Sequence, residues 1–183
     1  MRSLFIVSTR SGLLHTCICS TDTGQALLGG RFVSSPPVGQ NVLAPADGKV
    51  VVVVDDQPNQ MPGTPLAQSD AGAFKTLRSA GNHVVIRTAG GEFVFLARMQ
   101  RGSARLAVGD SVQAGDENGL IGNFGNTSEP YLQIQGHAQD VAGFFDPNAV
   151  GLPLLFSNSQ ADADPVAHGE LVQEQFVEPA PLP

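Results

Sequence analysis

Apolar residues in this chain fall in short, β-branched runs, and Gly, Pro, Asn and Asp interrupt them before a helical period can establish itself. The pattern predicts strands at Leu4 to Val7, Leu13 to Cys19, Asn41 to Ala44, Gly48 to Asp55, Asn82 to Thr88, Glu92 to Met99, Ser111 to Val112, Leu120 to Gly122 and Tyr131 to Gln135. Short strands spaced roughly ten residues apart indicate a sandwich or barrel. Lys49 to Val54 ends in consecutive valines and is apolar on both faces, which predicts a central strand between two layers. Pro45-Ala46-Asp47-Gly48 and Ala89-Gly90-Gly91-Glu92 read as hairpin turns. Gln57 to Ala80 reads as a long excursion loop, with one helical turn at Ala73 to Leu77. Ala46 to Val50 and Val108 to Val112 share a Gly-containing turn followed by a short apolar strand.

Composition narrows the class. The chain has 183 residues, enough for one domain with peripheral segments, and its 21 Gly, 13 Pro and absence of Trp fit a loop-rich, mostly β protein. Charge is lopsided: residues up to Arg105 hold all ten Lys and Arg against six acids (+4), whereas Leu106 to Pro183 hold eleven acids and no Lys or Arg (−11). Such a chain is a poor nucleic-acid binder, because phosphate contacts need clustered cations. No apolar run approaches the roughly 18 residues of a membrane span. Arg10 interrupts the first apolar patch too soon for a signal peptide, so the chain reads as cytoplasmic or as one from which an export signal has been left off. Cys17 and Cys19 are expected as a free buried pair, since a bridge between residues two apart would strain a tight loop. Residues 159–183 are acidic, Pro-rich and aperiodic, and predict a mobile tail with at most a short pairing at Glu170 to Val172.

Five blocks carry a family resemblance in the right order. Gly39-Gln40-Asn41-Val42-Leu43-Ala44-Pro45-Ala46-Asp47-Gly48-Lys49-Val50 resembles the strand and turn that follow the first metal ligands of lysostaphin-type (LytM-like) zinc metallopeptidases. Gly81 to Ile86, Phe93 to Met99, Leu106 to Gly115 and Gly119 to Pro130 then resemble the next strand, the alanine-histidine-leucine strand, the valine-glycine-aspartate turn and the glycine-rich approach to a final histidine-x-histidine strand. The resemblance implies an antiparallel β-sandwich of the duplicated hybrid motif type, with a groove on one sheet. It also implies a division into 1–38 (N-terminal strands and insert), 39–158 (the peptidase-fold core) and 159–183 (the tail).

In that family zinc is held by a His and an Asp about four residues apart and by the second His of the late pair. The other two histidines assist the water, a sensible division since three protein ligands leave a fourth zinc position open. Here the chain departs from the pattern. Arg98 and Tyr131 stand at the two catalytic His positions and Gln133 at a ligand position. Arginine is a permanent cation that accepts no proton, and a neutral amide is a weak zinc ligand. The expectation is therefore no zinc and no catalytic residue, with a groove formed by Arg98, Tyr131, Gln133 and His15. One alignment of the upstream pair puts His15 and Cys19 in it, four apart on one strand face.

The remaining histidines say less. His83 reads as a surface or packing residue, His137 as a loop residue after the last strand, and His168 has no assigned role. Asp55-Asp56 and Asp116-Glu117 read as polar turns. Three functions stay open: an inactive homologue that binds or scaffolds, with peptidoglycan or a protein as partner; an active metal-dependent peptidase recruiting His15, Cys19 and His137; and a structural subunit whose +4 and −11 halves meet between neighbours in self-association. The resemblance favours a cell-envelope or extracellular setting.

Overall fold

The computed structural model describes residues 16–20, 26–27, 38–39, 41–58, 80–123, 132–138, 151–152, 155–156, 159–161, 164–166, 169–170 and 176–179. Among them are fifteen strands and no α-helix: β1 (Thr16–Ser20), β2 (Ala26–Leu27), β3 (Asn41–Leu43), β4 (Gly48–Val54), β5 (Asn82–Thr88), β6 (Phe93–Met99), β7 (Ser111–Val112), β8 (Glu117–Leu120), β9 (Leu132–His137), β10 (Gly151–Leu152), β11 (Leu155–Phe156), β12 (Ser159–Ala161), β13 (Asp164–Val166), β14 (Gly169–Glu170) and β15 (Phe176–Pro179). Eleven of them form one antiparallel sheet in the order β13-β12-β15-β2-β1-β9-β6-β5-β4-β7, with β10 beside β9. β3 and β8 make a second, two-stranded layer.

Strand alternation explains where the core sits. Val84, Leu96 and Ile134 are register partners across β5, β6 and β9. They pack with Val42 of β3 and with Ile121 in one buried cluster. The other alternate set, Val85, Phe93, Phe95 and Ala97, forms a second buried cluster on the opposite face. Both faces of the central strands are thus covered, which is why Phe93 to Ala97 is continuously apolar rather than alternating. Fully burying Phe95 alone stabilises the fold by about 1.5–3 kcal/mol.

The two similar turns in the sequence lock together. Val50 N–H donates to Asp110 O and Gly109 N–H to Val50 O, while Ala44 N–H donates to Asp116 O and Gly115 N–H to Ala44 O. Asp47 adds a side-chain acceptor for Ala114 N–H at 2.8 Å.

The structure corrects four expectations. The valine run does not form a central strand: β4 lies second from the end of the sheet, and Val51 to Val54 are only half-buried. β7 pairs only with Gly48 and Lys49, so the outer edge of β4 beyond Val50 has no strand beside it among the described residues. Pro45 to Gly48 is not a hairpin turn either, since it carries the chain from β3, paired with β8, to β4, paired with β5 and β7. The eighth expected strand lies earlier, at Glu117–Leu120. Within residues 159–183, β15 pairs with β2 and β12, and β12 pairs with β13, so strands stand where composition predicts a mobile tail. Pro165 sits on the edge strand β13, where its missing N–H removes no ladder bond. The Ala89 to Glu92 turn does join β5 to β6, with Gly91 at φ 86° and Thr88 N–H donating to Glu92 O. Leu4 to Val7 and Ala73 to Leu77 lie outside the described residues.

Candidate functional site

The residues of the candidate site follow from register. His83, Ala97 and Gln133 are directly opposite one another on β5, β6 and β9 and so share one face. Phe95 with Gln135, and Phe93 with His137, make the next two rows of that face. Cys17 of β1 is the register partner of Gln133 on its other side.

Strict alternation would send Arg98 to the opposite face from Ala97. It does not go there, because β5 and β6 slip register between Asn82 and His83 and leave Arg98 as the extra residue of a β-bulge. Arg98 has φ 72°, the left-handed region that a non-glycine residue seldom occupies, and a bulge points both its residues to one side. Its Nε–H donates to Gln133 Oε1 at 3.3 Å, and both residues are buried. Asn82 fixes the opposite side of the bulge. Its Nδ2 donates to Gln57 O and Met99 O, and its Oδ1 accepts from Gln57 N–H at 2.8 Å. Gly122 N–H closes the arrangement by donating to Arg98 O at 2.8 Å.

His83 is fully buried. Its Nδ1 lies 2.6 Å from Gly81 O, and a carbonyl only accepts, so Nδ1 carries the proton and Nε2 is a bare acceptor. Burial lowers the His83 pKa from its ordinary 6.5, and the Gly81 bond offsets part of that. His83 Nε2 and Gln135 Oε1 are buried acceptors that make no hydrogen bond among the described residues.

His137 is not a loop residue. It ends β9, fully buried, with its ring centroid 4.6 Å from that of Phe95. It lies four positions beyond Gln133 along one strand, about 13 Å away. Asp55 is likewise more than a solvated turn, since its two carboxylate oxygens accept from Gly102 and Ala104 N–H. Glu117 belongs to β8 and pairs with Arg105. Of the expected groove set, Arg98 and Gln133 come together, while His15 and Tyr131 lie outside the described residues. Asn82, Gly122 and Gln135 were not singled out from sequence. An Asn opening a strand is the one sequence signal that would have drawn attention to this corner.

The donor set does not fit zinc at Gln133. The one atom of that side chain suited to a metal, Oε1, accepts from a guanidinium, and the same permanent cation would repel a dication beside it. No group of three or more His, Cys, Asp or Glu able to hold a metal occurs among the described residues.

The comparison with curated proteins finds no match. Among solved structures, the catalytic domain of the antimicrobial peptidase lysostaphin from Staphylococcus simulans is 19% identical, over 69% of this chain and 71% of that one, with a TM-score of 0.43. A variant catalytic domain of the prophage-encoded M23 protein EnpA from Enterococcus faecalis is 17% identical, over 81% of this chain and 86% of that one, with a TM-score of 0.44. A putative peptidase M23 from Pseudomonas aeruginosa is 18% identical over 65% of this chain and 40% of that one, with a TM-score of 0.39. The family model for peptidase family M23 matches residues 30–142, which include Arg98, Tyr131 and Gln133 and leave out His15 and Cys19. The chain belongs to peptidase family M23.

Proposed function

We propose that this chain is an inactive member of its family, a module that binds or scaffolds rather than cleaves. The observation that carries the reading is the buried Arg98 to Gln133 hydrogen bond at the place where the family resemblance puts a catalytic histidine and a zinc ligand. An imidazole pair there would hold zinc and move protons, whereas a guanidinium and an amide can do neither. They can bind. A guanidinium recognises carboxylates, an amide donates and accepts, and His83 Nε2 and Gln135 Oε1 add buried acceptors on the same face. The ligand class this favours is a peptide bearing a carboxylate, from peptidoglycan or from a protein partner, in a cell-envelope setting. Membrane insertion by helix is not part of the reading, since no helix among the described residues is long and apolar enough to cross a membrane.

Metal analysis of the purified chain after equilibration with zinc tests the proposal. The expected result is sub-stoichiometric zinc, unchanged in Gln133→Ala, with no cleavage of peptidoglycan cross-bridges or Gly-rich peptides in zinc, cobalt or manganese. Stoichiometric zinc that is lost in Gln133→Ala, or metal-dependent cleavage, overturns it.

A further inference from the structure

We propose that Lys49, Arg87 and Ser111 form a binding site for a phosphomonoester group at the β7 end of the large sheet. Lys49 is the direct register partner of Arg87 on β5 and of Ser111 on β7, so the three residues make one row across three strands. The row beside it, Val50, Ile86 and Val112, is buried in one core cluster. Alternation therefore turns Lys49, Arg87 and Ser111 to the opposite face, where all three are exposed. An ammonium, a guanidinium and a hydroxyl thus stand side by side, each able to donate. Arg87 lies four positions along β5 from His83, about 13 Å away, so the row is separate from the site at Arg98 and Gln133.

Like charges placed directly opposite each other on a sheet repel, so Lys49 and Arg87 are an unfavourable pair until an anion lies against them. Neither forms an ion pair among the described residues. The acids that flank the row in sequence are turned to the backbone instead. Asp47 accepts from Ala114 N–H and Asp110 from Ala107 N–H, each at 2.8 Å. The charge to be met selects the ligand. Lys49 and Arg87 carry one positive charge each, and a phosphomonoester carries about −1.5 to −2 at pH 7 on three strong acceptor oxygens. A carboxylate, with a single charge and two oxygens, leaves one cation unmatched. The Arg87 guanidinium takes two phosphate oxygens as a fork, the Lys49 ammonium adds a point charge, and Ser111 Oγ–H donates to the remaining oxygen.

Titration of the isotope-labelled full chain with inorganic phosphate, phosphoserine and glycerol phosphate, followed by NMR at constant ionic strength, tests the site. Saturable shifts at the amides around Lys49, Arg87 and Ser111 are expected, with acetate, the singly charged control, binding about tenfold or more weakly. The tighter of the two esters tells a phosphorylated peptide from a polyol phosphate as the source. K49Q, which keeps the stem and loses the charge, should weaken phosphate about tenfold, and S111A a few-fold. R87E should abolish binding with the fold intact, because it turns a like-charge pair into an opposite-charge one, and its urea midpoint should equal or exceed that of the wild type. No saturable shift with any of the phosphates overturns the proposal. So does binding that R87E leaves unchanged, or acetate binding as tightly as phosphate.

Discussion

Arg98 and His83 are neighbours of Ala97 with opposite electrostatic requirements. Arg98 keeps its charge and uses Gln133 as an acceptor, whereas His83 is buried with its only donor committed to Gly81. A buried imidazole with no acid beside it among the described residues is held neutral, and burial is the main cause of its lowered pKa. The stability consequence has a definite sign. Between the lowered folded pKa and the unfolded 6.5, the unfolded chain binds the extra proton, so stability rises with pH in that window and falls as pH drops through it. Urea unfolding at a series of pH values should show the wild type losing stability below about 6.5, and His83→Gln losing less over the same interval. Parallel curves for the two proteins would assign the acid sensitivity elsewhere. At this scale the sequence was partly legible. Arg98 and Gln133 stand out as wrong residue types in a recognisable motif, but nothing in an arginine announces φ 72°, and without the bulge Arg98 would point away from Gln133. His137 follows Gly136 and reads as the start of a loop. The strand persists to His137 because β10 pairs there, Gly151 with His137 and Leu152 with Gly136, a contact made across the intervening chain.

At the scale of the element, the bulge at the end of β6 is held by backbone packing as much as by Asn82. A Cβ built on Gly122 would lie 2.5 Å from Gln100 Cα, 2.6 Å from Gln100 N and 2.7 Å from Met99 C, all backbone atoms with no rotamer to give way. Gly122 also donates to Arg98 O, so a methyl group there pushes directly on the residue that carries the candidate site. Gly122→Ala should cost about 2 kcal/mol, as overpacking against fixed atoms does. Gly91→Ala meets nothing within 4 Å but sits at φ 86°, and should cost about 1 kcal/mol for conformation alone. Gly90→Ala, whose nearest contacts are side-chain atoms at 3.6 and 4.0 Å, should be nearly neutral. Equilibrium denaturation of the three variants gives the order directly, and equal losses at Gly90 and Gly122 would refute the packing argument. Strands of the core were readable because period-two patterning and turn residues are local signals. β5 and β7 match the sequence expectation residue for residue, and β6 differs only in starting at Phe93. The misplacement of β4 has a different origin. Five valines fit a central strand or a strand near the end of the sheet equally well, and its neighbour, a two-residue strand that covers only its first turn of pairing, leaves no trace in the valines themselves.

Across the whole molecule, stability should be graded from the centre of the large sheet to its acidic end. β5, β6 and β9 are paired on both edges and buried on both faces by the two clusters. By contrast β15 meets β2 through two register pairs, Phe176 with Leu27 and Val177 with Ala26, and β2 meets β1 through two more. Composition could not reveal this extension, because the partners of an acidic, Pro-rich segment lie some 150 residues earlier in the chain and carry no complementary pattern. So few pairings bring few ladder hydrogen bonds to offset the roughly 1–2 kcal/mol per residue that ordering a backbone costs. Hydrogen exchange should therefore resolve the sheet into cooperative units. Amides of β5, β6 and β9 should open only with global unfolding, and those of β2, β12 and β15 together at a lower free energy. Equal protection across β5, β6, β9, β12 and β15 would mean that the sheet opens as a single unit.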